Sequence, residues 1–329
     1  LPKAVGTAFS IDRKINLGLI KKELHSNDIV LCSFGDASAN HASALSAINT
    51  ACWIKDKGGH VPIIFICEDN GTGISVKTEE HWIERNFSNK AGLNYIRTDG
   101  LNIFDLILKT YKADKIARVK REPVFLHMKT VRLMGHAGSD VESGYKSLKH
   151  IEESEFNDPL LHTSKLLIEN KILSKNDILN IYETSRDQIK HVFNYSKSRP
   201  KLTTATEVMS SIIQNQKPNS IPKMPKEELR KEIFGKEYFR IKTPQHMAKL
   251  INYALHDILI RFPNTVIFGE DVAIKGGVYN ITSDLYKKFG VRRVFDSPLD
   301  ETSIIGFGIG FGHNGFIPIP EIQFLAYFH

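Results

Sequence analysis

The amino-acid sequence predicts an α/β fold, with parallel sheets flanked by helices in two domains joined by a linker. Three observations lead there. The apolar runs at 29–34 and 61–67 enclose a segment in which Ala42, Leu45, Ile48, Ala51 and Cys52 recur at helical spacing. A strand–helix–strand unit of this kind crosses over right-handed and so sets its two strands parallel. The same alternation resumes beyond Pro244, and before it Pro218, Pro222 and Pro225 lie among Asn, Ser and Lys, a linker-like composition.

In chain order, the lysine-containing stretch 55–60 leads into the second strand, which stops at Glu68-Asp69-Asn70-Gly71. Residues 103–121 read as a helix and 124–129 as a third strand. Asp158-Pro159 opens another helix, with an acid at the N-cap and Pro in the first turn. Ser174 and Asp177 have the spacing of a capping box ahead of an amphipathic segment that runs to about Ser198. The linker holds a short helix over 226–234. The second half reads as helix 245–261, strand 265–268, helix 283–289, strand 293–295, helix 301–313 and strand 317–322. The expected division is a first domain over 1–199, a linker over 200–243 and a second domain over 244–329.

Composition narrows the function. Of 329 residues, 41% are hydrophobic and 25% charged, a globular balance that excludes collagen, coiled coil and global disorder. The longest nearly apolar stretch, 304–312, is glycine-rich and too short to span a bilayer. The first residues lack the features of a signal peptide. Three cysteines, Cys32, Cys52 and Cys67, lie in apolar segments without CxxC spacing, which fits reduced core thiols in a cytoplasmic protein. The net charge of +7 is spread among acids, so no nucleic-acid or membrane partner is expected.

Chemistry concentrates where the strands end. Asp36 and Asn70 each sit just past the carboxyl end of an expected parallel strand, the edge at which open α/β sheets bind ligands. One carboxylate, one amide oxygen and a carbonyl from 71–73 make a sparse, hard donor set suited to magnesium, which completes its shell with water and phosphate. Gly35, Gly71 and Gly73 would let the backbone approach a diphosphate. Gly-Asp and Asn-Gly are also ordinary turn dipeptides, and the residues alone leave both readings open. Arg132, His136 and Asp140 lie in a glycine-rich loop, where Arg and His suit phosphate. Glu301 opens a helix; buried against a ligand nitrogen, it could share a proton. Gly310, Gly312 and Gly315 satisfy GxGxxG literally, but inside or at the end of a helix and with the position of the expected acid, about 20 residues on, beyond His329, so they read as close-packing positions.

Taken together, Gly35-Asp36-Ala37-Ser38-Ala39-Asn40-His41 and Cys67-Glu68-Asp69-Asn70-Gly71 resemble the thiamine diphosphate motif. The context of Arg132 and His136 is similar to the phosphate loop of 2-oxo acid dehydrogenase α subunits. Phe268-Gly269-Glu270-Asp271-Val272, Gly276-Gly277-Val278-Tyr279, residues 295–301 and Glu321-Ile322-Gln323-Phe324 resemble the β subunit. The order resembles a fused α/β form of the thiamine-diphosphate-dependent dehydrogenase component of 2-oxo acid dehydrogenase complexes, of the branched-chain (2-oxoisovalerate) type.

The resemblance implies two thiamine-diphosphate-binding-type domains. It implies Mg2+ on Asp36, Asn70 and the Thr72 carbonyl, and thiamine diphosphate against Gly35, Ala37, Ser38, Arg132, His136, Glu301 and Tyr327, with Glu301 and His136 catalytic. It further implies oxidative decarboxylation of a branched-chain 2-oxo acid such as 3-methyl-2-oxobutanoate, acyl transfer to a lipoyl-bearing acyltransferase core, and a homodimer of fused chains. A pyruvate-specific version and, more distantly, a transketolase-like transferase are the alternatives. Ala37 stands where the motif has its third Gly, Asp69 where it has the first of two Asn residues, and Ala137 where mammalian relatives carry a regulatory serine. The motif spacer is a few residues longer, with the excess placed in 55–60. By the same resemblance the chain is expected to be a fragment, lacking an early α segment before Leu1 and an acyl-transfer histidine beyond His329.

Overall fold

The computed structural model describes residues 1–20, 27–212 and 224–329. It contains two compact units: Leu1–Asp158 together with Pro225–His329, and Pro159–Met224. In the first unit come helix α1 (Pro2–Asn16), strand β1 (Val30–Gly35), helix α2 (Ala42–Asp56) and strand β2 (Ile63–Asp69). A small hairpin, β3 (Thr72–Gly73) and β4 (Val76–Lys77), follows, then α3 (Trp82–Phe87), β5 (Asn94–Asp99), α4 (Ile103–Lys115), β6 (Val124–Lys129) and α5 (Leu148–Phe156). The sheet has the order β1-β2-β6-β5, every pair parallel. β2 lies inside it and is almost wholly buried, as its Ile-Ile-Phe-Ile-Cys run requires. β5 was not legible as a strand: in Asn94–Asp99 only Ile96 and Thr98 are buried, the signature of a half-covered edge. The expected helix 103–121 ends in a wider π-helical turn, Ile116–Lys120, closed by Arg121 in the left-handed region.

The second unit consists of α6 (Pro159–Glu169), α7 (Lys175–Ser198) and α8 (Ala205–Ser210). Ser174 and Asp177 form the expected capping box at the start of α7, and Thr204 and Glu207 form another at α8. Pro218 and Pro222 of the expected linker lie outside the described residues.

The chain returns to the first unit with α9 (Glu227–Phe234) and α10 (Met247–Arg261). Then come β7 (Thr265–Gly269), α11 (Leu285–Phe289), β8 (Val294–Asp296), α12 (Glu301–His313), β9 (Ile317–Pro320) and α13 (Leu325–Phe328). This sheet has the order β8-β7-β9 and is also parallel. One buried cluster runs unbroken from Phe65 and Phe125 of the first sheet to Phe268, Phe307 and Phe311 of the second half.

The seam between the halves is the pair α1 and α12, packed backbone to backbone. A Cβ on Gly310 would fall 2.3 Å from the Thr7 nitrogen, and one on Gly306 would fall 2.3 Å from the Pro2 Cβ. Gly310 is therefore the close-packing position that the GxGxxG pattern concealed. Gly312 has its nearest neighbour at 4.0 Å, and Gly315, at φ +80°, makes the turn after the helix. Replacing Gly310 with Ala forces two helix backbones apart, an overpacking that costs about 1–3 kcal/mol or more. Gly312→Ala should be close to neutral in the same denaturant-unfolding series.

His256 on α10 is 2% exposed and held as the neutral imidazole. Its Nδ1 donates to the Asn252 carbonyl at 2.8 Å, and Lys288 Nζ donates to Nε2 at 3.1 Å. Burial, with Lys288 beside it, lowers its pKa to about 4. The unfolded chain therefore binds a proton that the folded one refuses, and stability falls as pH drops from about 6.5 towards 4 by up to about 1.4 kcal/mol per pH unit. Unfolding measured across that window should show this slope in the wild type and a flatter one in His256→Gln.

Candidate active site

β1 and β2 are parallel neighbours in register, Gly35 opposite Glu68, so their carboxyl ends lie side by side. Asp36 follows β1 directly and is 1% exposed. Its Oδ2 accepts a hydrogen bond from Thr78 Oγ1 at 2.5 Å, which leaves a carboxylate with capacity to accept more. Past β2, two Asx turns follow each other: Asp69 Oδ1 accepts from the Gly71 amide at 3.0 Å, and Asn70 Oδ1 from the Thr72 amide at 3.0 Å. The hairpin β3–β4 then folds back, and Thr78 reaches Asp36 from its end. A Cβ on Gly73 would sit 2.6 Å from the Ala37 methyl, so Ala37 takes the space that Gly73 leaves open.

One cleft of about 880 Å³ opens here, bounded by Gly35, Asp36, Ala37, Ser38, Asn70, Thr72, Gly73 and His136. Its volume is within the range of small-molecule sites. The amino end of α2, where His41 caps the Ser43 amide, lines it as well, and such an end favours an anion. No group of three or more His, Cys, Asp or Glu side chains suited to a metal exists among the described residues. The oxygen set of Asp36, Asn70 and a loop carbonyl instead fits a hard dication that keeps water and substrate phosphate in its shell.

Asp69 is 7% exposed and anchors the loop after β2 from behind. Its Oδ2 lies 2.7 Å from His127 Nε2 and 3.0 Å from Lys129 Nζ. Burial opposes the charge, but the hydrogen bonds from His127 and Lys129 outweigh it and hold this carboxyl down at about 2.

Arg132 does not line the cleft. Its Nη1 donates to the Ile74 carbonyl at 2.6 Å, at the hairpin tip, and its Nη2 to the Tyr145 hydroxyl at 2.8 Å. Its Nε is buried without a partner among the described residues. Asp140 ties the same loop together, accepting from the His136 amide at 2.6 Å and the Tyr145 hydroxyl at 2.7 Å. Those bonds lower its pKa. His136 is exposed at the rim.

The second half contributes carboxylates. Glu301 is the first residue of α12, and Asp300 is its N-cap, accepting from the Ser303 amide at 3.0 Å. Ser46 of α2 hydrogen-bonds the Asp300 carboxylate, and Ser46 and Thr50 each lie 3.0 Å from the Ser303 hydroxyl. The helix that carries Glu301 is thus bolted to the helix that begins in the cleft. Sequence reasoning missed a regular feature of this sheet. Glu270, Ser297 and Glu321 are the first residues after β7, β8 and β9, and each has a buried side-chain oxygen without a partner among the described residues. Burial raises the Glu270 pKa first, then the charges of Glu301, Asp271 and Asp300; burial and then Glu270 raise that of Glu321. Polar atoms orphaned at the carboxyl edge of a parallel sheet fit a polar ligand there. The places of Glu270 and Glu321 were readable, because each follows an apolar strand directly, but their missing partners were not. Tyr327 is 56% exposed, packs edge-on against Phe324 at 5.6 Å and does not line the cleft.

Comparison with known proteins matches these two regions to two families. The transketolase pyrimidine-binding domain matches residues 243–329. The beta subunit of 3-methyl-2-oxobutanoate dehydrogenase from Mycobacterium tuberculosis is 47% identical over 78 residues, 24% of this chain and 22% of the relative. Pyruvate dehydrogenase E1 component beta subunits from Staphylococcus epidermidis and Bacillus subtilis are each 47% identical over 81 residues, 25% of either chain. The chain thus spans about a quarter of the length of the curated relatives it matches. The dehydrogenase E1 component family matches residues 4–205, more than half of the chain, and the chain belongs to that thiamine-diphosphate-dependent family.

Proposed function

We propose that the parent protein is a fused α/β dehydrogenase component that oxidatively decarboxylates a branched-chain 2-oxo acid of the 3-methyl-2-oxobutanoate type. What chiefly supports this is the convergence of Asp36, Asn70, Thr72 and His136 on one cleft, beside the helix that starts at Glu301. Asp36, Asn70 and the Thr72 carbonyl hold Mg2+ in this reading. Gly35, Ala37 and Ser38 bring backbone to the diphosphate, and Arg132 holds the loop that presents His136 to it. Thiamine diphosphate, when bound, supplies the nucleophilic carbon and the electron sink that decarboxylation needs. Glu301 orients the pyrimidine and exchanges a proton with its ring nitrogen, in an acid-rich edge shared with Glu270. Tyr327 is proposed to pack near the same ring.

The branched-chain assignment rests on the M. tuberculosis relative and on the motif wording from Phe268 to Glu301. The S. epidermidis and B. subtilis relatives favour pyruvate as the second reading. The acyl acceptor is the lipoyl group of an acyltransferase core, and the proposed assembly is a homodimer of fused chains in the cytoplasm. The proposed functional division is 1–199, 200–243 and 244–329. No helix among the described residues is long and apolar enough to cross a membrane.

The test is dye-linked oxidation of 3-methyl-2-oxobutanoate, 4-methyl-2-oxopentanoate, pyruvate and 2-oxoglutarate by the full-length protein, with and without thiamine diphosphate and Mg2+. Cofactor-dependent turnover of the branched acids is expected, with Glu301→Gln slower by about 10²–10⁴-fold and Asp36→Asn defective in Mg2+ binding. A preference for pyruvate would keep the chemistry and change the substrate. Folded protein with neither turnover nor cofactor binding would overturn the reading.

A further inference from the structure

Asp69 and Asn70 are adjacent but serve different sides of the site: Asn70 lines the cleft, whereas Asp69 does not. The Asp69 carboxylate is contacted by β6 and by its own loop, and β5 supports the β6 contact from behind. His127 and Lys129 come from β6, where Lys129 stands directly opposite Asp69 in the ladder. Tyr95 comes from β5, its hydroxyl 2.6 Å from His127 Nδ1. The loop itself contributes the Gly71 amide. The Asp69 carbonyl in turn accepts from the Thr130 amide at 2.8 Å, at the start of the loop that carries Arg132 and His136.

An ion pair that served the core alone would draw its donors from the sheet. Here one carboxylate oxygen is given to the loop and the other to the sheet, so Asp69 links them. We infer that Asp69, oriented by His127 and Lys129, is a positioning residue that fixes the Gly71 amide and thereby the direction in which Asn70 and Thr72 offer oxygen to a divalent cation. The inference rests on the proposed function. It assigns a role to the residue that departs from the family motif, and to a His127–Tyr95 pair that no motif singled out. Partners behind metal ligands typically govern affinity by about 10–100-fold.

Substitutions separate the contributions. Asp69→Ala removes the grip on Gly71. Asp69→Asn keeps an acceptor for Gly71 but turns an NH2 donor towards the Lys129 ammonium, and adding Lys129→Met removes that conflict. His127→Gln retains a donor that His127→Ala lacks. The measurement is Mg2+ titration of the full-length protein by calorimetry at saturating thiamine diphosphate, alongside the unfolding midpoint of each cofactor-free variant.

Asp69→Ala is expected to bind Mg2+ about 10–100-fold more weakly, with His127→Gln nearer to wild type than His127→Ala. Asp69→Asn/Lys129→Met should bind more tightly than Asp69→Asn alone. Losses of affinity that merely track the unfolding midpoint, or Asp69→Ala binding as tightly as wild type, overturn the inference alone. If Asp69→Ala does not fold, the Asn/Met pair decides: recovery supports the role and its absence refutes it. Wild-type protein that binds neither Mg2+ nor thiamine diphosphate overturns the proposed function, and this inference with it.

Discussion

The rest of the structure depends on the contact between α1 and α12. Helices normally pack with their axes 8–10 Å apart because side chains intervene. At Gly6, Gly306 and Gly310 there are none, and backbone atoms of one helix occupy the space where a Cβ of the other would be. This closeness lets Phe9 of α1 reach the rings of Phe295, Phe307 and Phe311, all at 5.7–6.0 Å, so both halves share one core. It also sets the axial position of α12, and with it Asp300 and Glu301. Ser303, one turn along, then meets Ser46 and Thr50 on α2. A larger residue at the seam would tilt or slide the helix that begins at Glu301.

Within that frame, both sheets present their carboxyl ends as the polar edge, but they treat polar atoms differently. At the first sheet the atoms are satisfied: Asp36 by Thr78, Asp69 by three donors, Asn70 by the Thr72 amide. At the second, Glu270, Ser297 and Glu321 each retain an oxygen without a partner among the described residues. An unsatisfied buried polar atom costs about 1–3 kcal/mol, so three along one edge are a substantial local expense. A fold keeps such atoms where a ligand or a proton satisfies them. The first edge is held rigid by its own hydrogen bonds, and the second keeps buried polar atoms open to a ligand or a proton.

Legibility followed burial and periodicity. The helix Glu301–His313 and the strand Val124–Lys129 were read from the sequence with their observed bounds, because each has an apolar interior between polar or turn residues. The strand Asn94–Asp99 was not, because Arg97 and Asp99 are exposed and its edge place removes the apolar run. Asp36, Asn70 and His136, singled out by their position after strands or in a glycine-rich loop, and Thr72, singled out by the family resemblance, line one cleft. The orphaned carboxyls of Glu270 and Glu321 were not legible as such, since what distinguishes them is missing partners, and sequence records only the residue. The bonds of Arg132 to Ile74 and Tyr145 were not legible, because they are made by a loop without periodicity.

The same reasoning explains how the chain tolerates Ala37 and Asp69. A methyl at 37 needs space, and Gly73 provides it: the virtual Cβ of residue 73 and the Ala37 methyl are 2.6 Å apart, so only one of these positions can carry a side chain. A carboxylate at 69 needs compensation, because a buried charge without partners is far costlier than a buried amide. His127 and Lys129 supply it from the neighbouring strand, at the positions that the parallel ladder places beside residues 67 and 69. Each departure is thus paired with a feature of an adjacent element. The two positions in each pair therefore have to be read together.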